Sequence, residues 1–174
     1  MINPVEIQES LFFENDGEID LLTGAMAPNR FNQIVKRDIE MAERNGALLA
    51  IISVKLDLGA LLDREFKDQS KPIQDHLEIL RDQPIPIIKS EIESFLVAVN
   101  FNLKSILRGS DCISRVSRTG FWIFVNSATT EGLQLLENRI KTLIPVNVDF
   151  AIIPREINQN QLSWYQSIDL THFS

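Results

Sequence analysis

Apolar positions fall into helical stripes and extended runs that alternate along the chain. Phe31, Ile34, Val35, Ile39 and Ala42 recur near a helical period across 31–44, and Asn45-Gly46 after them supplies a C-cap. The next stretch, residues 47–56, is almost unbroken apolar sequence rich in β-branched side chains, the pattern of a central strand buried on both faces. A second stripe, Ile92, Phe95, Leu96, Val99, Leu103 and Ile106, predicts a helix over 92–107. Short strands follow near 112–116 and 121–126, joined by a tight turn at Ser117–Gly120. Leu133, Leu136, Ile140 and Leu143 predict a helix at about 130–143, which Pro145 stops before a strand at 147–153.

After the first helix the order is therefore strand, helix, strand, strand, helix, strand. That is the ferredoxin-like βαββαβ arrangement, an α+β fold with a mainly antiparallel sheet flanked by helices, the two helices of the repeat on one face. The connection at about 58–91 is long for a compact domain and punctuated by Pro72, Pro84 and Pro86. It predicts a short extra helix near 73–81 and exposed loop. Residues 1–19 read as a lead segment, with a docking helix across Val5–Phe13, and 20–174 as one domain. Trp164 and Tyr165 are expected to anchor the tail to the domain.

Composition narrows the function classes. A chain of 174 residues with 44% hydrophobic content can bury one sizeable core. Its net charge of −7 argues against a nucleic-acid surface, which needs clustered Lys and Arg. No apolar run is long enough to span a membrane, and the first residues lack the pattern of a secretory signal, so a cytoplasmic location is expected. One cysteine, Cys112, and two scattered histidines give no metal-ligand spacing. Cys112 lies in an apolar stretch and reads as a core thiol rather than a nucleophile.

The chemistry-bearing segment is 108–121, Arg-Gly-Ser-Asp-Cys-Ile-Ser-Arg-Val-Ser-Arg-Thr-Gly-Phe. It resembles the centre of a GGDEF domain, the diguanylate cyclase family, in degenerate form. Arg108 and Asp111 match the family's Arg-x-x-Asp pair, and Cys112–Val116 then separates them from Ser117-Arg118-Thr119-Gly120-Phe121, where the signature turn belongs and only the Phe agrees. Asp20-Leu21-Leu22-Thr23-Gly24 with Asn29-Arg30-Phe31 is similar to the family's leading Asp-x-Leu-Thr-Gly motif, with two extra residues before the Asn. Arg115, the strand Phe121-Trp122-Ile123-Phe124 and the strand around Val148-Asp149-Phe150-Ala151 also correspond. The likeness covers roughly residues 20–153; the family's C-terminal helix is not recognisable in 161–174.

The resemblance implies a bacterial signalling domain and divides its chemistry. Cyclisation of GTP needs divalent metals on carboxylates, and the family supplies these from the end of the first strand and from the signature turn. Lys55 stands in place of the first metal-binding Asp, Thr119 and Gly120 replace the acidic pair, and Phe66-Lys67 is a poor counterpart of the guanine-reading segment. No catalytic residue, metal site or cofactor is therefore expected. The Arg-x-x-Asp pair is the family's product-inhibition site, where the forked guanidinium donors suit phosphate or a guanine edge, and Arg139 lies where a further Arg completes it. Arg108, Asp111 and Arg139 are thus the candidate ligand-binding residues, with cyclic di-GMP the ligand and an unidentified protein the recipient of the signal. A plainer reading stands beside it: Asp111 caps a turn, Arg108 favours a helix dipole, Arg139 is solvated, and the domain is a nucleotide-independent interaction or scaffolding module.

Overall fold

The computed structural model describes residues 3–59, 85–144 and 148–173. In chain order these form helices α1 (Pro4–Ser10) and α2 (Pro28–Asn45), strand β1 (Ala50–Leu56), helix α3 (Ile85–Ile106), strands β2 (Cys112–Arg115) and β3 (Gly120–Val125), helix α4 (Thr130–Leu143), strand β4 (Val148–Pro154) and helix α5 (Gln161–Phe173). The strands make one sheet in the order β2-β3-β1-β4. Every strand pair is antiparallel. The expected βαββαβ order and the central place of the first strand are what the structure has.

The almost unbroken apolar run at β1 follows from burial on two faces. Ala50, Ile52, Val54 and Leu56 meet Ile92, Leu96 and Leu103 of α3 and Leu136 and Ile140 of α4, while Leu49 and Ile51 meet Phe31 and Val35 of α2 and Trp164 and Ile168 of α5. Successive strand side chains point to opposite faces, so a strand between two helical layers has no polar face to offer. β3 is buried along its whole length for the same reason. Gly46 closes α2 in the left-handed region at φ 69°, its N–H bonded to the Ala42 carbonyl, as the Asn-Gly pair predicted.

Two helices differ from the sequence reading. α3 begins at Ile85, not near 92, with Pro86 inside its first turn, where a missing N–H costs nothing. Residues 85–91, which the sequence reading assigned to the long connection, are helical. The tail forms α5, a helix the sequence reading had not recognised, because its apolar residues do not make one stripe: Trp164 and Ile168 are buried while Leu162 and Leu170 are exposed. The anticipated helix near 73–81 and the Phe66-Lys67 pair lie outside the described residues.

Local turns seat the ends. α1 docks through Ile7, with Leu11 just beyond it, both buried in the α3–α4 layer. Thr23 and Gly24 shape a turn, Gly24 at φ 75°, in which Asp20 accepts from the Thr23 N–H at 2.8 Å and the Thr23 hydroxyl at 2.6 Å. Trp164 is buried, its indole N–H donating to the Ile153 carbonyl at 3.2 Å, and Tyr165 donates to the Asn32 side chain at 2.9 Å while standing edge-on to Trp122. The tail is therefore anchored to its own domain.

Candidate functional site

α3 ends at Ile106, and the chain turns through Arg108–Asp111 before β2. The Asp111 N–H donates to the Arg108 carbonyl at 3.0 Å, and the Arg108 N–H donates back to the Asp111 carboxylate at 3.0 Å. This is an Asp-stabilised turn of the kind short acidic side chains favour. The same carboxylate accepts from Arg108 Nε and Nη2, each at 3.3 Å, and from the Asn126 N–H at 3.4 Å. The Asp111 side chain is 3% exposed and that of Arg108 56%. With four donors on a carboxylate that has about four lone-pair sites, Asp111 is saturated inside the protein. Its direct work is to hold Arg108.

Arg108 Nη2 also donates to the Asn126 carbonyl at 2.6 Å. Beyond it, a cleft of about 230 Å³ is lined by Arg108, Asp111, Ser127, Thr129, Leu133 and Arg139. The three candidate ligand residues, which come from the end of α3, the turn before β2 and the middle of α4, are thus brought to one concavity. The Arg139 side chain is exposed and makes no hydrogen bond or ion pair among the described residues, its backbone carbonyl alone accepting from the Thr142 hydroxyl at 2.8 Å. On the other side of the Arg108–Asp111 ridge a second cleft, of about 440 Å³, is lined by Arg30, Lys104, Gly24 and Cys112. There Arg30 pairs with Glu18 at 2.8 Å and Lys104 donates to the Gly24 carbonyl at 3.0 Å.

Two residues of this neighbourhood escaped the sequence reading, Asn126 and Asp38. Asn126 Nδ2 donates to Asp38 Oδ2 at 2.9 Å, and Asp38 Oδ1 accepts from Arg37 Nε at 2.8 Å. A signal for Asp38 was present. It sits on the core-facing side of α2 with Val35, Ile39 and Ala42, where a carboxylate is costly to bury without partners. Cys112 lies beside it, and burial first, then the Asp38 and Asp111 carboxylates, push its thiol up to about 12. A thiol so raised stays protonated at neutral pH and is a poor nucleophile.

The β2–β3 hairpin turns through Ser117–Gly120, with the Val116 N–H donating to the Gly120 carbonyl at 3.0 Å. Arg115, fully buried, spans from Asp20, at 3.2 and 3.3 Å to its two oxygens, to the Arg118 carbonyl at 2.8 Å, and its guanidinium lies over the Phe13 ring at 5.0 Å. The leading Asp motif, the lead segment and the hairpin are thus one unit. Burial pulls the Arg115 pKa below its ordinary value although Asp20 opposes this; an arginine so placed remains charged near neutrality.

At the end of β1, Lys55 is the register partner of both Gly120 and Asp149. Thr119 is buried and its carbonyl accepts from the Leu56 N–H at 2.9 Å. The cleft here, of about 330 Å³, is lined by Lys55, Asp57, Gly59, Asp149 and Gln8. Its two carboxylates share the space with an ammonium, a donor set that does not fit a divalent pair needing several oxygen ligands. Among the described residues no group of three His, Cys, Asp or Glu side chains is placed to hold a metal.

No family model matches the sequence, and no curated protein sequence matches it. Solved structures do. A microbial GGDEF domain studied for its interaction with cyclic di-GMP is 19% identical, with a TM-score of 0.63 over 90% of this chain and 88% of its own. The GGDEF domain of DgcB from Caulobacter crescentus, in complex with c-di-GMP, is 11% identical, with a TM-score of 0.66 over 91% of this chain and 90% of its own. The diguanylate cyclase SiaD from Pseudomonas aeruginosa, in complex with its activator SiaC, is 12% identical, with a TM-score of 0.62 over 87% of this chain and 54% of SiaD. At these identities the likeness concerns the fold, and the chain has the fold of GGDEF domains. No helix among the described residues is long and apolar enough to cross a membrane.

Proposed function

We propose that this chain is a catalytically inactive GGDEF-fold domain that binds cyclic di-GMP at Arg108 and Arg139 and passes occupancy to a protein partner, as a cytoplasmic bacterial signalling module. The observation that carries the reading is the convergence of Arg108, Asp111 and Arg139 on one cleft. Two guanidinium groups on a small concavity suit a ligand with phosphates and guanine edges, since Arg presents planar, charge-assisted donors to both. Asp111 enters this reading as the group that aims Arg108. Two similar folds in complex or interaction with cyclic di-GMP support the choice of ligand, and SiaD with its activator supports a protein partner.

Inactivity rests on the residues at the end of β1. Lys55 brings positive charge to the place where metal would have to bind, and Thr119 and Gly120 offer no carboxylate. Incubation with GTP and Mg²⁺ or Mn²⁺ is expected to yield no cyclic di-GMP above a no-protein control. Synthesis abolished by Asp57→Ala would overturn this part.

Calorimetric titration with cyclic di-GMP tests the receptor. Binding is expected, weakened at least tenfold by Arg108→Ala, equivalent to about 1.4 kcal/mol, and less by Arg139→Ala. No heat at high micromolar ligand would refute it. The saturation of Asp111 and the three internal bonds of Arg108 favour one other reading, a nucleotide-independent scaffolding module whose Arg108–Asp111 pair is structural. A null titration would leave that reading standing.

A further inference from the structure

We infer that Asn126, anchored by the buried carboxylate of Asp38, is a second positioning residue of Arg108 beside Asp111, and that it confines Arg108 to offering one terminal nitrogen, Nη1, to a ligand. For the ligand this rests on the receptor reading; for the orientation of Arg108 it rests on geometry alone.

A guanidinium has five N–H donors, one on Nε and two on each terminal nitrogen. In Arg108, Nε donates to Asp111 Oδ2, while Nη2 donates to both Asp111 Oδ1 and the Asn126 carbonyl. Nη1 donates to nothing among the described residues. The fork formed by Nη1 and Nη2 is therefore half occupied, and an incoming phosphate oxygen or guanine acceptor meets the two N–H groups of Nη1. A bidentate grip through both terminal nitrogens would require the Asn126 carbonyl to be given up.

That carbonyl is held by a turn with its own anchor. Ser127, next in the chain, sits at φ 51°, a left-handed conformation that a non-glycine residue adopts at a cost. The turn persists because the Asn126 side chain is tied at both ends: its Oδ1 accepts from the Ser127 hydroxyl at 3.1 Å, and its Nδ2 donates to Asp38 at 2.9 Å. Asp38 belongs to α2 and its side chain is 2% exposed, so the anchor is rigid and lies in the layer on the opposite face of the sheet from α4. The path Arg108–Asn126–Asp38 thus joins the mouth of the cleft to α2 around the end of β3. Loss of the Asn126 amide would release the turn, move the carbonyl and let the Arg108 guanidinium rotate.

The experiment has a ligand-free arm and a ligand arm. In the unliganded protein the Arg108 Nε–H resonance, assigned by its loss in Arg108→Lys, is expected to be sharp. It should shift and exchange faster with solvent in Asn126→Ala, with the backbone amide spectrum otherwise retained. Asp38→Asn, which keeps the shape and one acceptor oxygen, should move it the same way by less, and serves if Asn126→Ala does not fold. An Arg108 signal unchanged in whichever of these variants folds overturns the inference. In calorimetry with cyclic di-GMP, Asn126→Ala is expected to weaken binding about tenfold in the wild type and by less than twofold in the Arg108→Ala background. Equal weakening in both backgrounds would mean Asn126 acts on the fold and not through Arg108, and would also overturn it. A perturbed Arg108 signal with no wild-type binding would refute the receptor reading while upholding the positioning role.

Discussion

Asp20→Ala removes the acceptor from a buried ion pair and strands the cation. Asp20 is 1% exposed and Arg115 fully buried, and the carboxylate takes Arg115 Nη1 on both oxygens. Breaking such a pair from one side costs about 3–5 kcal/mol, because the remaining charge stays in a poorly solvating site. Arg115 keeps the Arg118 carbonyl and the Phe13 ring, which still partly satisfy the cation after Asp20 is lost. The expected loss is therefore at the lower end, about 3 kcal/mol, or roughly 6–12 °C in Tm for a domain of this size. Urea unfolding followed by circular dichroism would measure it. The double variant Asp20→Ala/Arg115→Met should recover part of the loss, since no uncompensated cation remains. A loss below about 1 kcal/mol in Asp20→Ala, or a double variant as unstable as the sum of the singles, would refute the argument and mean that water reaches Arg115.

Trp164→Ala should destabilise by about 3–5 kcal/mol, as large core truncations do, whereas Leu162→Ala on the exposed face of α5 should change stability by less than about 0.5 kcal/mol; similar effects in the same unfolding assay would show that α5 packs differently. Because the Cys112 thiol is pushed up to about 12 while an unfolded thiol titrates near 9, the unfolded chain alone loses the proton between these values. Stability should therefore fall as pH rises from about 9 toward 12, and fall less in Cys112→Ala. In the native state at pH 8, alkylation of Cys112 by iodoacetamide should run at least tenfold slower than in urea; equal rates would contradict the burial that raises it.

Much of the fold was legible in the chain because burial on one or two faces leaves a periodic trace. Phe31, Val35 and Ala42 announced α2, the continuous run at β1 announced a strand covered on both sides, and Asn45-Gly46 announced the end of a helix. α5 left no such trace, since Trp164 and Ile168 pack inward while leucines of the same helix face solvent, and Pro86 masked a helix start it is able to occupy. The candidate site divides in the same way. Arg108, Asp111 and Arg139 could be named from residue type and spacing, because a local Arg-x-x-Asp pattern is a sequence property. Which oxygen each donor meets is not. Four donors from two segments converge on Asp111, the Asn126 carbonyl takes one edge of Arg108, and Asp38 reaches Asn126 from a helix far away in sequence. Periodicity reports which face of an element leaves water, residue by residue; hydrogen-bond partners at the end of a sheet depend on how the elements are brought together, and only the tertiary structure decides that.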